Sequence, residues 1–281
     1  MTRFALLYTF NRGDKLSLHR LIRLRKMNPE VTVVPVFGVS QTITLPIPKL
    51  PKRYRNTFNW EACRSHLLFQ ATEAVNKPVE SFRRRSELRA TSILIRKLGL
   101  DLYCDFTPIG KINQDLAIIN WFKQQGSNFD FDFMVYFEYD MLATRSITEL
   151  YAPYIGYDAG FVGYRVSEPS WMWYDLPSGA KNSVEKWLQR RRLPPTIYRS
   201  FFPGHFLSRR VLVRLAQENR FPSAFNEMRL ASMVTGLGFR VARLDFPAVH
   251  VTVEAEGISE REIRESSQLG VFHPVYGDFD I

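Results

Sequence analysis

Two acidic residues, Glu138 and Asp140, follow an uninterrupted apolar run at residues 133–137. Residues i and i+2 of an extended segment project to the same side, so both carboxylates can reach one cation. Mg²⁺ and Mn²⁺ prefer oxygen ligands, and Mg²⁺ usually keeps positions for water and substrate phosphates. The pair is therefore a candidate divalent-metal site. The alternative interpretation is that the two acids are solvated and merely open a loop.

The segments before this pair have the pattern of an α/β protein. Residues 4–8 form an apolar run typical of a buried strand, and the apolar spacing of Leu18, Leu21 and Ile22 predicts a helix that ends before Pro29. The β-branched run at 31–37 predicts the next strand, in which Pro35 favours an edge position or a bulge. This β-α-β order implies a parallel strand pair with a right-handed crossover.

The remaining elements continue the alternation of helices and strands. The run at 133–137 suits the centre of a parallel sheet, whose carboxyl edge is where ligands bind in open α/β folds. Asn113 can cap the helix that precedes it. The other predicted segments are helices at 60–75 and from about 86, strands at 100–104, 160–164 and 239–244, and two helices after the Pro-Gly-His sequence at 203–205.

Composition sets limits on the class of protein. The chain has 281 residues without a long linker, and 45% are hydrophobic, which predicts one globular domain with a sizeable core. Its formal net charge of +10 favours anionic partners such as nucleotide phosphates or nucleic acid. No apolar run approaches the ~20 residues of a membrane span. We therefore expect no transmembrane segment. The two cysteines are too few for a disulfide framework, which favours a cytoplasmic location.

The layout resembles the GT-A glycosyltransferases of the nucleotide-diphospho-sugar transferase superfamily. Their short Asp-x-Asp motif follows an apolar strand and coordinates the metal of a nucleotide-sugar. The resemblance covers most of the chain: the β-α-β start, Glu138-x-Asp140, residues 203–210 as a small-residue turn and helix, and Asn226-Glu227 opening a helix that ends at 236–239. The departure is at position 138, where Glu replaces the commoner Asp.

The resemblance implies an α/β fold, a single GT-A-like (Rossmann-like) domain with a mostly parallel central sheet flanked by helices. It implies a nucleotide-binding half at about 1–140 and an acceptor-binding half at about 141–281. The implied activity is metal-dependent transfer of a sugar from a nucleotide-diphosphate donor to an unknown acceptor.

The resemblance also implies roles for individual residues. Asp140 would be a direct metal ligand, and Glu138 would bind the metal, its water or the nucleotide ribose. His273 would be a third ligand and would favour Mn²⁺ over Mg²⁺, with His250 as the competing histidine. Glu227 would be the carboxylate that stabilises the sugar cation or takes the acceptor proton, although an acid in the first turn of a helix is also favoured by the helix dipole.

Nucleotide contacts are expected at the end of the first strand and in two later loops. The resemblance places Thr9, Asn11 and Arg12 beside the base and diphosphate. Asp105 can accept a hydrogen bond from base or ribose, and Lys111 can reach phosphate. Asn and Asp are also common in turns without any ligand, and the loop around Lys111 lacks the pattern of a P-loop.

The acceptor is the least determined part of the hypothesis. The aromatic segment 171–175 offers stacking surfaces, or is a small core under a long loop. The arginine run at 190–192 favours an anionic acceptor. Three alternatives remain: a glycosyltransferase that acts on nucleic acid, a nucleotidyltransferase of related fold, and a non-catalytic anion-binding module.

Overall fold

The computed structural model describes residues 2–10, 15–38, 88–105, 113–171, 173–175, 179–245, 248–249, 258–265 and 270–276. The helices are α1 (Lys15–Met27), α2 (88–97), α3 (Gln114–Gln124), α4 (Ile147–Tyr151), α5 (Ala180–Arg190), α6 (Arg209–Ala216), α7 (Asn226–Gly236) and α8 (Glu260–Glu265). The longer strands are β1 (Phe4–Phe10), β2 (Thr32–Gly38), β3 (Tyr103–Asp105), β4 (Phe133–Glu138), β6 (Ala159–Val166), β7 (Tyr198–Ser208) and β8 (Val241–Leu244). The two- and three-residue strands are β5 (Leu142–Ala143), β9 (Ala248–Val249), β10 (Ile258–Ser259), β11 (Val271–His273) and β12 (Val275–Tyr276).

The central sheet has the strand order β3-β2-β1-β4-β7-β6-β8. Strands β3, β2, β1 and β4 are mutually parallel, β7 runs antiparallel to both β4 and β6, and β8 is parallel to β6. The predicted α/β fold with a mostly parallel sheet is thus confirmed. The prediction that β4 lies inside a parallel sheet is only half right, because β4 is the strand at which the sheet becomes antiparallel.

The two middle strands are apolar throughout because both faces of the sheet are covered. In β1 and β4, alternate residues join two different clusters of buried side chains: Leu7 and Tyr136 contribute to one cluster, and Leu6 and Val135 contribute to the other. The first cluster includes α3, α5, α6 and α7, and the second includes α1, α2 and α4. Continuous apolar runs are what a strand needs in this position.

Proline at position 35 is accommodated by the short length of β3. Strand β2 is flanked by β1 and β3, but β3 pairs only with residues from Val36 to Gly38. At Pro35 the described partner is Tyr8 of β1 alone. Pro35 therefore lies in a part of β2 that is paired on one side, as predicted for an edge position, although residues 36–37 of the same strand are paired on both sides.

The prediction of a turn at residues 203–205 is wrong. These residues lie inside β7, which continues to Ser208, and the helix begins only at Arg209. Gly204 takes a positive φ of 79°, a conformation that glycine adopts readily. Its carbonyl oxygen accepts a 2.7 Å hydrogen bond from Tyr151 Oη. The β6–β7 register shifts between Gly160 and Val162, so the turn-forming residues produce an irregular strand.

Arginines from the runs at 190–192 and 209–210 make contacts within the protein. Arg191 stacks on Trp187 and forms an ion pair with Glu218. Arg209 donates two 2.6 Å hydrogen bonds, to the carbonyl oxygens of Phe129 and Ser127. These contacts give Arg191 and Arg209 structural roles that need no anionic partner. Separately, among the residues that the structure describes, no helix combines the length and apolar composition needed to cross a membrane.

We expect Gly160→Ala to destabilise the sheet by about 1–3 kcal/mol through overpacking. A Cβ atom at position 160 would overlap the ring of Phe206 and lie 2.7 Å from Leu244 Cδ2. Gly156→Ala is the matched control, because nothing lies within 4 Å of a Cβ built there. Urea unfolding measures both variants. Equal midpoints for Gly160→Ala and the wild type would contradict the packing described between β6, β7 and β8.

Candidate functional site

The acidic pair occupies a tight turn at the carboxyl end of β4. Glu138 is the last residue of the strand, and Tyr139 and Asp140 form the turn that follows. Met141 N–H donates to the Glu138 carbonyl oxygen at 3.0 Å, which closes the turn. Asp140 accepts a 2.8 Å bond on its own carbonyl from Val275 N–H. The main chain around both carboxylates is therefore fixed by hydrogen bonds.

His273 reaches this turn through pairing between distant parts of the sequence. Strand β5 follows the turn directly and pairs antiparallel with β11, with Leu142 opposite Phe272. His273 is the next residue of β11, and its Nε2 lies 3.8 Å from Glu138 Oε2 and 3.5 Å from Asp140 Oδ1. One ligand atom from each of the three residues lies within 4.8 Å of the other two. The structure thus brings together the three predicted metal ligands.

The chemistry of this cluster fits a divalent cation. Asp140 Oδ1 and His273 Nδ1 are buried without a close hydrogen bond within the described part of the chain, and the contact of Oδ1 with His273 Nε2 is long, at 3.5 Å. Buried polar atoms are normally satisfied, so these two atoms are consistent with a cation site. Two carboxylates and one imidazole form a mixed oxygen and nitrogen ligand set, which transition metals such as Mn²⁺ accept.

The electrostatic environment of His273 is dominated by acids. Burial lowers the pKa of its imidazole, but the carboxylates of Asp140, Glu138 and Glu227 raise it by more, and the net pKa lies above the ordinary value. A cation in the cluster would interact with the same carboxylates. Glu227 therefore belongs electrostatically to this site, although it is far from the other three residues in sequence.

Two amide side chains support Glu138. Gln114 Nε2 donates a 2.5 Å hydrogen bond to Glu138 Oε1, and Asn226 Nδ2 donates a 2.7 Å bond to Gln114 Oε1. Asn226 Oδ1 in turn accepts a 3.0 Å bond from the backbone N–H of Glu227. This chain links Glu138 to Glu227 and crosses from α3 to α7.

A buried ion pair holds the N-terminal ends of α3 and α7 together. Asp115 and Arg229 are 1% and 3% exposed, and Arg229 Nε donates to Asp115 Oδ2 at 2.6 Å while Nη2 contacts Oδ1. Such bidentate pairs fix orientation as well as distance. Arg229 Nη2 also donates to Asn113 Oδ1 at 3.0 Å. Asn113 precedes α3 as predicted, but its side chain makes no capping bond to the helix because it binds Arg229 instead.

The predicted nucleotide-binding residues are only partly within the described chain. Thr9 lies opposite Glu138 in the β1–β4 register, and its hydroxyl bonds to Tyr136 Oη at 2.9 Å and to the Phe137 carbonyl at 3.2 Å. Asp105 ends β3 at the same edge of the sheet, but its side chain lies outside the described part. Asn11, Arg12, Lys111 and the competing histidine His250 also lie outside it.

The aromatic segment predicted near the acceptor lies close to α7. The ring of Trp173 packs on Phe225 with centroids 4.5 Å apart. Phe225 is the N-cap residue of α7 and directly precedes Asn226 and Glu227. Part of the aromatic surface therefore adjoins the site, while Trp171 is largely buried and contacts Arg199.

The sequence interpretation missed Gln114 and gave Asn226 no role at the metal cluster. Both are polar residues in the first turn of helices that begin near the carboxyl edge of the sheet, and this position is their only signal. Nothing in the sequence shows that one amide bonds to Glu138 and that the other bonds to the first.

Comparison with known proteins gives no family assignment. No protein-family model matches the chain, and no curated protein matches it. Structures similar to the chain include a crystal structure described as a glucose-1-phosphate thymidylyltransferase from Bacillus anthracis in complex with sucrose, with 10% identity, 86% of each chain covered and a TM-score of 0.37. The Q189E active-site mutant of LgtC has 9% identity, covers 96% of this chain and 86% of its own, and has a TM-score of 0.38. The inositol-1-phosphate CTP transferase from T. maritima has 10% identity, 87% and 85% coverage, and a TM-score of 0.37.

We expect Asp115→Asn to destabilise the protein by about 3–5 kcal/mol, because it leaves the buried Arg229 charge without its partner. The matched control is Glu185→Gln, which removes a surface pair with Lys181 at 3.6 Å and should leave the free energy of unfolding nearly unchanged. Urea unfolding with intrinsic fluorescence measures both. A loss of less than about 1 kcal/mol in Asp115→Asn would contradict the role given to this pair.

Proposed function

We propose that this protein is a metal-dependent glycosyltransferase that moves a sugar from a nucleoside-diphosphate donor to an acceptor hydroxyl. The observation that carries the proposal is the cluster of Glu138, Asp140 and His273, whose ligand atoms lie within 4.8 Å of one another. The cluster lies at the carboxyl edge of β4, where open α/β sheets bind ligands. Mn²⁺ is the proposed metal and Mg²⁺ the alternative.

Asp140 and His273 are the proposed direct ligands, and Glu138 either binds the cation or holds its water. When bound there, the metal supplies a Lewis acid that neutralises negative charge on the departing diphosphate. Gln114 occupies one oxygen of Glu138 and so sets the direction of its carboxylate. The turn and the β5–β11 pairing hold the ligands before any substrate arrives, which limits the reorganisation needed for binding.

Glu227 is the proposed second carboxylate of the reaction. As the bond between the anomeric carbon and the diphosphate oxygen breaks, the acceptor oxygen bonds to that carbon and its proton passes to a base. The hydrogen-bonded chain from Glu138 through Gln114 and Asn226 to the Glu227 backbone supports this assignment. A carboxylate in that place can take the proton or stabilise the sugar cation.

The two halves of the chain take different substrates in this proposal. Thr9, Asn11, Arg12, Asp105 and Lys111 are the proposed donor-binding residues, in the half before about residue 140. The half from about 141 to 281 would bind the acceptor. There, the half-buried ring of Trp173, which packs on Phe225, is the proposed apolar surface for a sugar ring.

Asp140→Ala should weaken Mn²⁺ binding by more than about 100-fold, because loss of a supporting group alone typically costs 10- to 100-fold. Calorimetric titration with Mn²⁺, in the presence of uridine or guanosine diphosphate, measures the affinity. Asp101→Ala is the control, since Asp101 is an exposed acid located before β3. Wild-type protein that binds neither nucleotide with Mn²⁺ would contradict the proposal, as would unchanged binding by Asp140→Ala.

Glu227→Gln should slow sugar transfer by about 10²- to 10⁴-fold, the usual contribution of a general base, while Mn²⁺ affinity falls far less than in Asp140→Ala because Glu227 is not a proposed ligand. Product release from a panel of nucleotide-sugars is the measurement, and Glu149→Gln, an exposed acid on α4, is the control. A glycosyltransferase releases a nucleoside diphosphate. Release of pyrophosphate would assign the protein to the nucleotidyltransferases instead.

A further inference from the structure

Arg20 is a buried arginine of α1 whose side chain contacts the main chain next to the metal cluster. Its side chain is 1% exposed, although α1 contributes no ligand to the cluster. A charged side chain is rarely buried unless other groups hold it. The contacts of Arg20 therefore indicate what it does.

The guanidinium of Arg20 donates to two backbone carbonyls in different segments. Nη1 donates to the carbonyl oxygen of Tyr139 at 2.8 Å, and Nη2 donates to the carbonyl oxygen of Val275 at 2.8 Å. Tyr139 stands between Glu138 and Asp140, and Val275 follows His273 by two residues. One rigid group thus holds the two segments that carry all three residues of the cluster.

The third nitrogen of the guanidinium, Nε, contacts a third segment. Its Nε lies 3.4 Å from Glu260 Oε1, and Glu260 is 6% exposed at the start of α8. Glu260 also pairs with Arg23 at 3.6 Å and Arg264 at 3.3 Å. Glu260 therefore gives the buried guanidinium of Arg20 an acidic partner and restrains its orientation while the two Nη atoms donate to the carbonyls.

We infer that Arg20 is a positioning residue for the metal cluster, one that sets the separation between the Glu138–Asp140 turn and the segment of His273. This inference rests on the proposed metal site. Within the described part of the chain, the same two segments are also joined by the β5–β11 pairing and by the 2.8 Å bond from Val275 N–H to the Asp140 carbonyl oxygen. The β5–β11 pairing fixes the residues before His273, whereas Arg20 and the Val275 N–H bond restrain the chain after it, so Arg20 completes the support on that side of the imidazole.

The shape of the guanidinium is essential to this role. Its N–H donors lie in a fixed plane and can serve two carbonyls at once, whereas a lysine ammonium is a compact charge on a flexible stem. Arg20→Lys keeps the charge beside Glu260 and removes the fork. Arg209→Lys is a matched control, because Arg209 also donates from Nη1 and Nη2 to two carbonyls, those of Phe129 and Ser127. Those carbonyls precede β4, at the opposite end of the strand from the cluster.

Titration of the intact chain with Mn²⁺ alone, followed by electron paramagnetic resonance of the free ion, tests the inference. Arg20→Lys should raise the dissociation constant for Mn²⁺ about 10- to 100-fold, the usual effect of removing a group that orients metal ligands. Arg209→Lys should leave the dissociation constant for Mn²⁺ within about twofold of the wild-type value. This should hold even if its thermal midpoint falls as much as that of Arg20→Lys. Thermal unfolding of both variants separates loss of affinity from loss of stability.

The outcomes distinguish this inference from the proposed function. Absence of Mn²⁺ binding by the wild type would contradict the proposed metal site and, with it, the inference about Arg20. Wild-type affinity in Arg20→Lys overturns the inference and leaves the proposed function standing. Equal losses in Arg20→Lys and Arg209→Lys also overturn it, because the effect would then be general loosening of the fold.

Hydrogen exchange on the wild-type protein decides the matter if Arg20→Lys does not fold. Helix α1 contains no ligand, but Arg20 connects it directly to both segments that carry the ligands. Mn²⁺ should slow exchange in residues 17–24 as well as in 138–141 and 271–276. Slowing confined to the two ligand segments, with α1 unchanged, would overturn the inference.

Discussion

Strand β4 is buried on both faces and paired on both edges, and the site depends on this constraint. A strand in that position cannot carry charged side chains along its length, because each would be removed from water without a partner. The first charged group appears at Glu138, where the strand ends. Burial therefore confines the acids to the edge of the sheet, and the tight turn closed by Met141 keeps Asp140 beside Glu138.

Three elements besides β4 bring polar side chains to that edge. Helix α3 supplies Gln114 to Glu138, α7 supplies Asn226 and Glu227, and β11 supplies His273. The Asp115–Arg229 pair fixes the first two helices to one another. The mutually repelling carboxylates are thus held in place by the amide side chains and by the helices that the Asp115–Arg229 pair joins. A cation would reduce the repulsion.

The antiparallel part of the sheet has a different physical origin from the parallel part. Strands β1, β2 and β4 are ordered by apolar runs buried on both faces, whereas β7 contains Pro203 and Gly204 in its interior. It stays a strand because β6 pairs with it on both sides of this stretch, at residues 198–201 and 206–207, β4 pairs with residues 206–208, and Tyr151 bonds to the Gly204 carbonyl. Tertiary pairing there overrides the local preference for a turn.

The sequence by itself determined the elements with strong local signals, which are β1, α1, β2 and β4, and the position of Glu138 and Asp140 where β4 ends. These depend on periodicity and on residues close in sequence. Tertiary structure alone decided that His273 faces the acids, since this follows from β11 pairing with β5, and that Arg20 and Gln114 serve them. Polar residues on helices carry no local signal of their partners. The sequence therefore predicts the two acids, which lie close together in the chain. The side chains of His273, Gln114 and Arg20 reach them only through long-range packing.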